Sequence, residues 1–162
     1  MDVTVHPVRE AVRCLVVDDA GRVLLVRFAD DETGASPWWS PPGGGLHQGE
    51  DHLAAAHREL REELDRDGFG IGPWIGRRSH TFWWGRRWMT QRERWVLCRT
   101  EPFEVDATHV ASLAAENIRE LRWWSAGALR CSGVVTTPRN LAGLLDGIAG
   151  GRLPDADTDL GV

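Results

Sequence analysis

The stretch Pro41–Glu63, PPGGGLHQGEDHLAAAHRELREE, decides how the rest of this chain folds. It begins with a proline–glycine run that is too flexible for a helix or a strand interior, so the run predicts a loop. Glu50 and Asp51 suit the start of a helix, and residues 52–64 contain no Gly or Pro. The stretch therefore predicts a glycine loop that leads directly into an amphipathic helix.

Three glutamates share one face of that predicted helix, because Glu59, Glu62 and Glu63 are three and four residues apart. Arg58 can relieve part of their mutual repulsion by pairing with Glu62 one turn on. Carboxylate oxygens attract Mg²⁺ or Mn²⁺, and Mg²⁺ usually completes its octahedron with water and substrate phosphate. Taken alone, however, the pattern is more typical of a solvated acidic helix face, with carboxylates exposed to water.

The spacing of the whole segment is more specific than its glutamates. Gly44, five residues, Glu50, seven residues and then RELREE (58–63) resemble the signature of the Nudix hydrolases. The resemblance implies an α/β fold, the Nudix-type α/β/α sandwich with a mixed central sheet. It also implies a pyrophosphohydrolase, a hydrolase of acid anhydrides that cleaves a nucleoside diphosphate linked to another group.

The resemblance also assigns roles to these residues. Glu59 and Glu63 would be the main ligands of Mg²⁺ or Mn²⁺, and the backbone carbonyl of Gly43 would complete the site. Glu62 would share a metal or orient water. Arg58 would hold the acids together. Gly44 would lie against the substrate, and Glu50 would orient the site or act as an outer ligand.

One departure from the family pattern follows the helix. The pattern continues with any residue, a glycine and an apolar residue, whereas here Leu64 is followed by Asp65 and Arg66. A Gly-apolar pair comes three residues late, at 68–69. We therefore expect the helix to run about one turn longer and to stop near Asp67.

Composition limits the remaining possibilities. The 162 residues are most simply one domain, residues 1–150, followed by a flexible acidic tail, 151–162. The net charge of −5 argues against stable nucleic-acid binding. The start of the chain shows no leader, and no long apolar run predicts a membrane span, so we expect a cytoplasmic protein. Cys14 and Cys98 fall in apolar runs that predict buried free thiols.

The strand predictions are residues 11–17, 22–28, 71–84 and 88–100, with a polar loop at 30–37. Arg27 ends the second strand, where it could hold a phosphate or a base, or simply form a surface salt bridge. Trp39 is expected to be structural. Ser125 is expected to cap a short helix at 126–130, and Pro138 to open another that ends near Ile148.

Tryptophans and arginines interleave in the segment 77–99, which has no lysine. Such a surface could stack a base while arginine pairs with phosphate, and Trp83, Trp84 and Arg86 are the candidate substrate-binding residues. Since neighbours in a strand face opposite ways, Trp83 and Trp84 cannot both face a core. At least one therefore faces a ligand, a helix or a partner subunit. We expect the outward indole to bind ligand and the other to contribute to stability; the alternative is that the outward indole packs on the second subunit of a possible homodimer.

The base that activates water is left open between the helix acids and two residues near the last strand, Glu116 first and Glu120 second. Two rival functions remain. A catalytically silent Nudix domain would sense a nucleotide, but it would be expected to lack a glutamate of the signature. An isopentenyl diphosphate isomerase would need a reactive cysteine and a histidine-rich metal site, neither of which the spacing supports.

Overall fold

A computed structural model describes residues 5–30 and 35–161. The strands are β1 (Val8–Asp18), β2 (Val23–Asp30), β3 (Ala35–Ser40), β4 (Gly43–Gly45), β5 (Gly70–Trp84), β6 (Arg87–Thr100), β7 (Ile118–Trp124) and β8 (Val135–Thr136). The helices are α1 (His52–Leu64), α2 (Ala107–Ser112), α3 (Ala126–Ser132) and α4 (Leu141–Ala149), with a 3-10 turn at Ala114–Glu116. Within these ranges no helix has the length and apolar character needed to cross a bilayer.

The strands form one mixed sheet in the order β5-β6-β1-β2-β3-β8, with β4 paired to β1 and β7 paired to β2. β1 runs parallel to β6 over its whole length, from Val8↔Thr90 to Asp18↔Thr100, and antiparallel to β2 and β4. β1 is thus the central strand of this part of the sheet, because it pairs with the long β5–β6 hairpin on one side and with the glycine strand β4 on the other.

Alternation along β1 divides the core into two layers. Val12, Cys14 and Val16 pack towards α1, while Leu15 and Val17 pack towards α3 and α4. Because both faces of the strand are apolar, helices must cover both sides of the sheet. The predicted α/β/α sandwich with a mixed sheet is confirmed.

Helix α1 ends at Leu64, so the expectation of an extra turn to Asp67 is wrong. Asp65 takes the left-handed conformation, with φ 50°, and its N–H donates to the Arg61 carbonyl at 3.0 Å. Asp65 stands where the family pattern has glycine, the residue that adopts this conformation at least cost. Aspartate is one of the few other residues that tolerate it, so the helix stops at its usual place.

The glycine run was predicted as a loop, but Gly43–Gly45 form strand β4 against Ala11–Arg13. A Cβ on Gly43, whose φ is 144°, would lie 2.1 Å from the Val12 carbonyl oxygen. Only a residue without a side chain can approach β1 this closely. The glycines therefore serve close backbone pairing as well as flexibility.

The other elements follow the predictions closely. All four predicted strands are present, and Ser125 Oγ accepts from the Ala128 N–H at 3.1 Å. The last helix begins at Leu141 rather than Pro138, after an N-cap at Asn140. The two ends of the loop predicted at 30–37 belong to β2 and β3. Residues 31–34 lie outside the described part of the chain.

The C-terminal segment lies against the edge strand β5. The Arg77 N–H donates to the Thr158 carbonyl at 2.8 Å, and the Leu160 N–H donates to the Arg77 carbonyl at 2.9 Å. Gly76 lets Leu160 approach, since a Cβ there would lie 2.7 Å from the Leu160 Cγ. The acidic segment predicted to be flexible thus extends the sheet by a short bridge.

We predict that Asp65→Gly leaves the free energy of unfolding within about 0.5 kcal/mol of the parent, whereas Asp65→Val lowers it by roughly 1–2 kcal/mol. The reason is that valine is strained at a φ of 50°, while glycine is not. Urea denaturation of the three proteins measures the difference. Equal stabilities for Asp65→Val and the parent would contradict the assigned helix end.

Candidate functional site

Arg58 is the centre of the site because all five of its N–H donors have acceptors. Nε and Nη2 form a bidentate pair with Glu50 at 2.8 and 2.9 Å, and Nη2 also donates to the Gly45 carbonyl at 3.0 Å. Nη1 donates to Glu59 at 2.8 Å and to Glu62 at 3.1 Å. This guanidinium therefore joins the helix start, the glycine strand and the acids of α1.

Glu59 and Glu63 are buried, with only 7% and 3% of their surface exposed, so the expectation of solvated carboxylates is wrong for these two. Glu62 is half-exposed, as expected. Burial raises the pKa of Glu59, although Arg58 partly opposes the shift. Burial also raises the pKa of Glu63 well above its usual range, and the charge of Glu59 adds to it. The fold holds two acids where their negative charge is unfavourable without a cation.

The glycine strand β4 lies directly on these acids. The Gly43 N–H donates to Glu63 Oε2 at 3.1 Å. A Cβ on Gly44 would lie 2.4 Å from Glu59 Oε1, so any side chain there would displace the carboxylate. The Gly43 carbonyl, predicted as a metal ligand, accepts from Arg13 Nη1 at 3.1 Å. Gly43 and Gly44 thus lie beside the acids, as the sequence predicts.

The donor set was tested for its fit to a divalent cation. In the described ranges, 5–30 and 35–161, no three His, Cys, Asp or Glu side chains converge closely enough to hold a metal ion. Two buried carboxylates with raised pKa values, beside a backbone carbonyl, nevertheless fit Mg²⁺, which takes few protein ligands and completes its shell with water and phosphate. The residues are compatible with the expected Mg²⁺ or Mn²⁺.

A second polar cluster on β1, β5 and β6 was missed by the sequence analysis. Its centre is the buried Glu93, which accepts from Arg13 Nε at 3.2 Å and from Arg78 Nη1 at 3.4 Å. It also accepts from Gln91 at 2.7 Å and from the Trp95 indole at 3.0 Å. Burial alone would raise the pKa of Glu93, but the two guanidiniums and Gln91 lower it to about 2.

Arg9 belongs to the same cluster and lies against the glycine strand. Its Nη1 donates to Gln91 at 2.9 Å, and a Cβ on Gly45 would lie 2.4 Å from its Nε. Burial and the neighbouring charge of Arg13 lower its pKa. Polar residues at even spacings within these apolar strands, Arg9 and Arg13 on β1 and Gln91 and Glu93 on β6, were the available sequence signal. They place two guanidiniums next to the acid site.

The acids near the last strand occupy different surroundings. Glu116 lies on the exposed 3-10 turn, and its charge adds to the raised pKa of Glu63, after burial and the charge of Glu59. Glu120 sits opposite Arg27 in the pairing of β2 with β7 and accepts from Arg27 Nε at 3.1 Å. Arg122 is a second ion-pair partner of Glu120. Arg27 is thus in a half-exposed salt bridge, one of the two roles considered for it.

Trp83, Trp84 and Arg86 lie at the tip of the β5–β6 hairpin. Trp83 and Trp84 belong to opposite faces of the strand, as predicted, but both are about half-exposed, so neither packs in the core of this chain. Arg86 is in the turn, with φ 66°. Trp39 is buried and meets Trp124 edge-on at 5.1 Å, which confirms its structural role.

The cysteines follow the prediction. Cys14 and Cys98 are free and buried, and a hydrogen bond that the Cys14 thiol makes with Cys98, together with burial, raises the pKa of Cys14. Cys131 is free and exposed. A buried thiol whose pKa is raised is a poor nucleophile, so Cys14 is not a candidate for covalent catalysis.

Comparisons with known proteins agree with this geometry. A family model described as NUDIX domain matches residues 7–141. An RNA pyrophosphohydrolase of Novosphingobium aromaticivorans is 31% identical over 132 residues, 72% of this chain and 77% of that protein. One from Dinoroseobacter shibae is 33% identical over 112 residues, 60% of this chain and 66% of that protein. A MutT protein from Methanosarcina mazei shares the fold, with a TM-score of 0.61, 17% identity and coverage of 89% and 96%.

We predict that Arg58→Lys is nearly as damaging as Arg58→Ala, because an ammonium cannot reproduce the planar five-donor arrangement. Each variant should lower the free energy of unfolding by roughly 2–4 kcal/mol, as expected when several charge-assisted hydrogen bonds are lost together. Thermal denaturation measures this, with the exposed Arg99→Lys on β6 as a matched control. A fully stable Arg58→Lys protein would show that charge alone suffices.

A second prediction concerns Glu93, whose pKa in the folded protein lies below its ordinary value of 4.5. Its ionised form therefore stabilises the fold above about pH 4.5, and this contribution is lost as the pH falls towards 2. Glu93→Gln should lower the free energy of unfolding by roughly 3 kcal/mol at pH 7. The deficit should shrink in denaturation series carried below pH 4.5. A deficit that is independent of pH would contradict the assigned ion pairs.

Proposed function

From the premise that the chain belongs to the Nudix family, we propose that it is a metal-dependent hydrolase of the phosphorylated 5′ end of RNA. The family, and the activity of a Nudix-type pyrophosphohydrolase, are those that residues 44–63 predict. The observation that carries the metal-dependent hydrolysis is the pair of buried acids, Glu59 and Glu63, held against glycine backbone. The choice of RNA is supported by the names of the two relatives and by the arginines beside the acids.

Glu59 and Glu63 would hold Mg²⁺ or Mn²⁺, with the Gly43 carbonyl as a third oxygen and the half-exposed Glu62 nearby. A bound divalent cation would neutralise charge on the substrate phosphates and polarise the phosphorus–oxygen bond that breaks. Arg58 positions Glu59 and Glu62, and Glu50 positions Arg58 in turn. This arrangement orients Glu59 and Glu62 before a cation arrives, while the Gly43 N–H holds Glu63.

Arg9 and Arg13 would receive the phosphate groups that the cation leaves unneutralised. The Arg9 guanidinium lies against Gly45, and Arg13 donates to the Gly43 carbonyl. Arg13 is fixed by Glu93, whereas Arg9 is held through Nη1 by the neutral Gln91. Neutralisation and positioning supply most of the rate in phosphoryl transfer, because substrate and leaving group are both anionic.

Glu116 is the proposed general base. Water attacks one phosphorus, its proton passes to the carboxylate, and the terminal phosphate or pyrophosphate leaves. Glu120 is less suited, since its carboxylate is already engaged in ion pairs with Arg27 and Arg122. Glu116 is exposed on a turn and its charge reaches Glu63, which is consistent with a base at the edge of the acid site.

This proposal departs from the expectation that no nucleic acid is bound, which rested on the net charge of −5. Net charge describes the whole chain, whereas steering depends on the local field. Seven of the 19 basic residues lie between positions 77 and 99, on two neighbouring strands and the turn that joins them. The acidic total and a basic binding surface are therefore compatible.

The experiment is a hydrolysis screen with Mg²⁺ and with Mn²⁺. RNA oligonucleotides with a 5′ triphosphate or diphosphate are compared with ADP-ribose, a dinucleoside polyphosphate and nucleoside triphosphates, and the products are separated by chromatography. We expect release of phosphate or pyrophosphate from RNA at the highest kcat/KM. Turnover only of the small compounds would reject RNA as substrate, and binding without turnover would favour the silent sensor.

We predict that Glu63→Gln abolishes most turnover but raises the melting temperature in EDTA. The folded pKa of Glu63 is raised, so its ionisation costs stability above about pH 4.5, and neutral glutamine removes that cost. Saturating Mg²⁺ should stabilise the parent, by about 2.7 kcal/mol at 100 times Kd, and should not stabilise the variant.

The matched control for this variant is Glu101→Gln, because Glu101 is an exposed acid outside the helices and strands. This substitution should change neither turnover nor the melting temperature in EDTA. Metal-induced stabilisation of Glu63→Gln equal to that of the parent would remove Glu63 from the proposed ligand set. Glu59→Gln should behave as Glu63→Gln does, because both acids are buried and both pKa values are raised.

A further inference from the structure

The tip of the β5–β6 hairpin exposes three tryptophans that the core does not use. Trp83, Trp84 and Trp88 are 51%, 54% and 50% exposed. The turn between the strands is Gly85-Arg86, both with positive φ, which is the two-residue geometry that matches strand twist. Because the register is fixed, Trp83 lies opposite Trp88, and their rings meet edge-on at 5.6 Å. The indoles are held in place, although they face solvent.

A ladder of side chains continues from these indoles along one face of the hairpin. The cross-strand pairs of this outer ladder are Trp83↔Trp88, Thr81↔Thr90, Ser79↔Arg92 and Arg77↔Arg94. The Thr81 and Thr90 hydroxyls are 2.9 Å apart, which confirms that the pairs share a face. From the strand rise, the ladder is roughly 20 Å long. It offers aromatic surface at one end and guanidinium groups at the other.

The basic end of the outer ladder lines a groove of 340 Å³. Four arginines and three acids line it: Arg77, Arg78, Arg92 and Arg94 with Glu10, Glu93 and Asp159. Glu10 lies 3.9 Å from the Arg92 guanidinium. Arginine remains in excess, and Arg86 and Arg87 add positive charge at the tip. The surface therefore combines stacking groups with a local positive field, which is the composition of single-strand binding surfaces.

Two features place this surface beside the catalytic acids. β6 lies two strand spacings from the glycine strand β4, or about 10 Å, because only β1 separates them. On the other face of the hairpin, the Arg9 guanidinium lies 5.5 Å from the Trp84 ring and also lies against Gly45. Arg58 donates to the Gly45 carbonyl. The hairpin tip is thus linked to the site through a single arginine.

The charge distribution decides between the two occupants that such a surface could have. A second copy of the chain in a two-fold dimer would bring the arginines of one tip against the same arginines of the other. Interface cores are depleted of charged residues, and like charges across an interface are unfavourable. A single-stranded polyanion with flat bases meets neither difficulty. The surface fits a nucleotide chain better than it fits itself.

We propose that the hairpin tip and the outer ladder bind the nucleotides that follow the 5′ end of an RNA held at the acid site. Bases stack on Trp83 and Trp88, and the sugar–phosphate chain follows Arg87, Arg92 and Arg94. The proposal rests on the proposed function for its substrate class and adds a site for the body of the strand. It makes affinity depend on RNA length, which the acid site alone does not.

The test measures binding in EDTA by fluorescence anisotropy, with 5′-diphosphorylated, 3′-labelled oligonucleotides of two and of eight nucleotides. The parent should bind the longer RNA more tightly. The double variant Trp83→Ala/Trp88→Ala should lower affinity for eight nucleotides tenfold or more, since a stacked base contributes about 1–3 kcal/mol, and should lower affinity for two nucleotides far less. Arg87→Ala should act in the same direction and flatten the salt dependence.

The controls are Leu153→Ala, an exposed apolar residue elsewhere, and Arg99→Ala at the opposite end of β6; neither should alter the length dependence. Equal losses for both RNA lengths, or no loss, would overturn the proposal. So would a parent dimer that sedimentation shows to dissociate in the double variant, since the indoles would then form a subunit interface. Hydrolysis of RNA ends with no effect of the hairpin variants refutes this site alone, whereas absence of RNA hydrolysis refutes the proposed function.

Discussion

The pairing of Arg58 with its five acceptors is the interaction on which the site depends. The Nudix helix brings three acids to one face, where their negative charges repel one another. Two of them are buried, and burial disfavours their ionised form. Arg58 provides the compensating charge and, through the Gly45 carbonyl, fixes the glycine strand to the same helix. One side chain thus sets the distance between backbone and carboxylates, and this distance determines what the site can bind.

Two buried clusters of charged residues differ in whether the surroundings offset the cost of burying a carboxylate. Glu93 is surrounded by Arg13, Arg78 and neutral donors, so its pKa falls to about 2 and it contributes stability. Glu63 is buried beside the acid Glu59, and the N–H that it accepts from Gly43 does not offset this, so its pKa rises. The first cluster is complete in the folded chain. The second stores unfavourable charge that a divalent cation would relieve, which is why stability and activity are expected to move in opposite directions there.

The tip of the long β5–β6 hairpin places the proposed RNA-binding side chains away from the acids of α1. The inner half of the hairpin is packed in the sandwich, with Trp95 fully buried, while its tip extends indoles and guanidiniums into solvent. Backbone pairing and a two-residue turn hold the tip without a core of its own. Arg9 contacts both this surface and the glycine strand of the acid site.

The sequence by itself determined the family, the sandwich and the grouping of Arg58, Glu59 and Glu63, because these follow from local spacing on one helix and from strands of clear periodicity. Only the tertiary structure decided how buried each acid is and where Asp65 ends the helix. It also brought Arg9 and Glu93 to the site from strands some 80 residues apart in sequence. Burial and long-range pairing depend on which faces meet in three dimensions, and a local pattern holds no information about that.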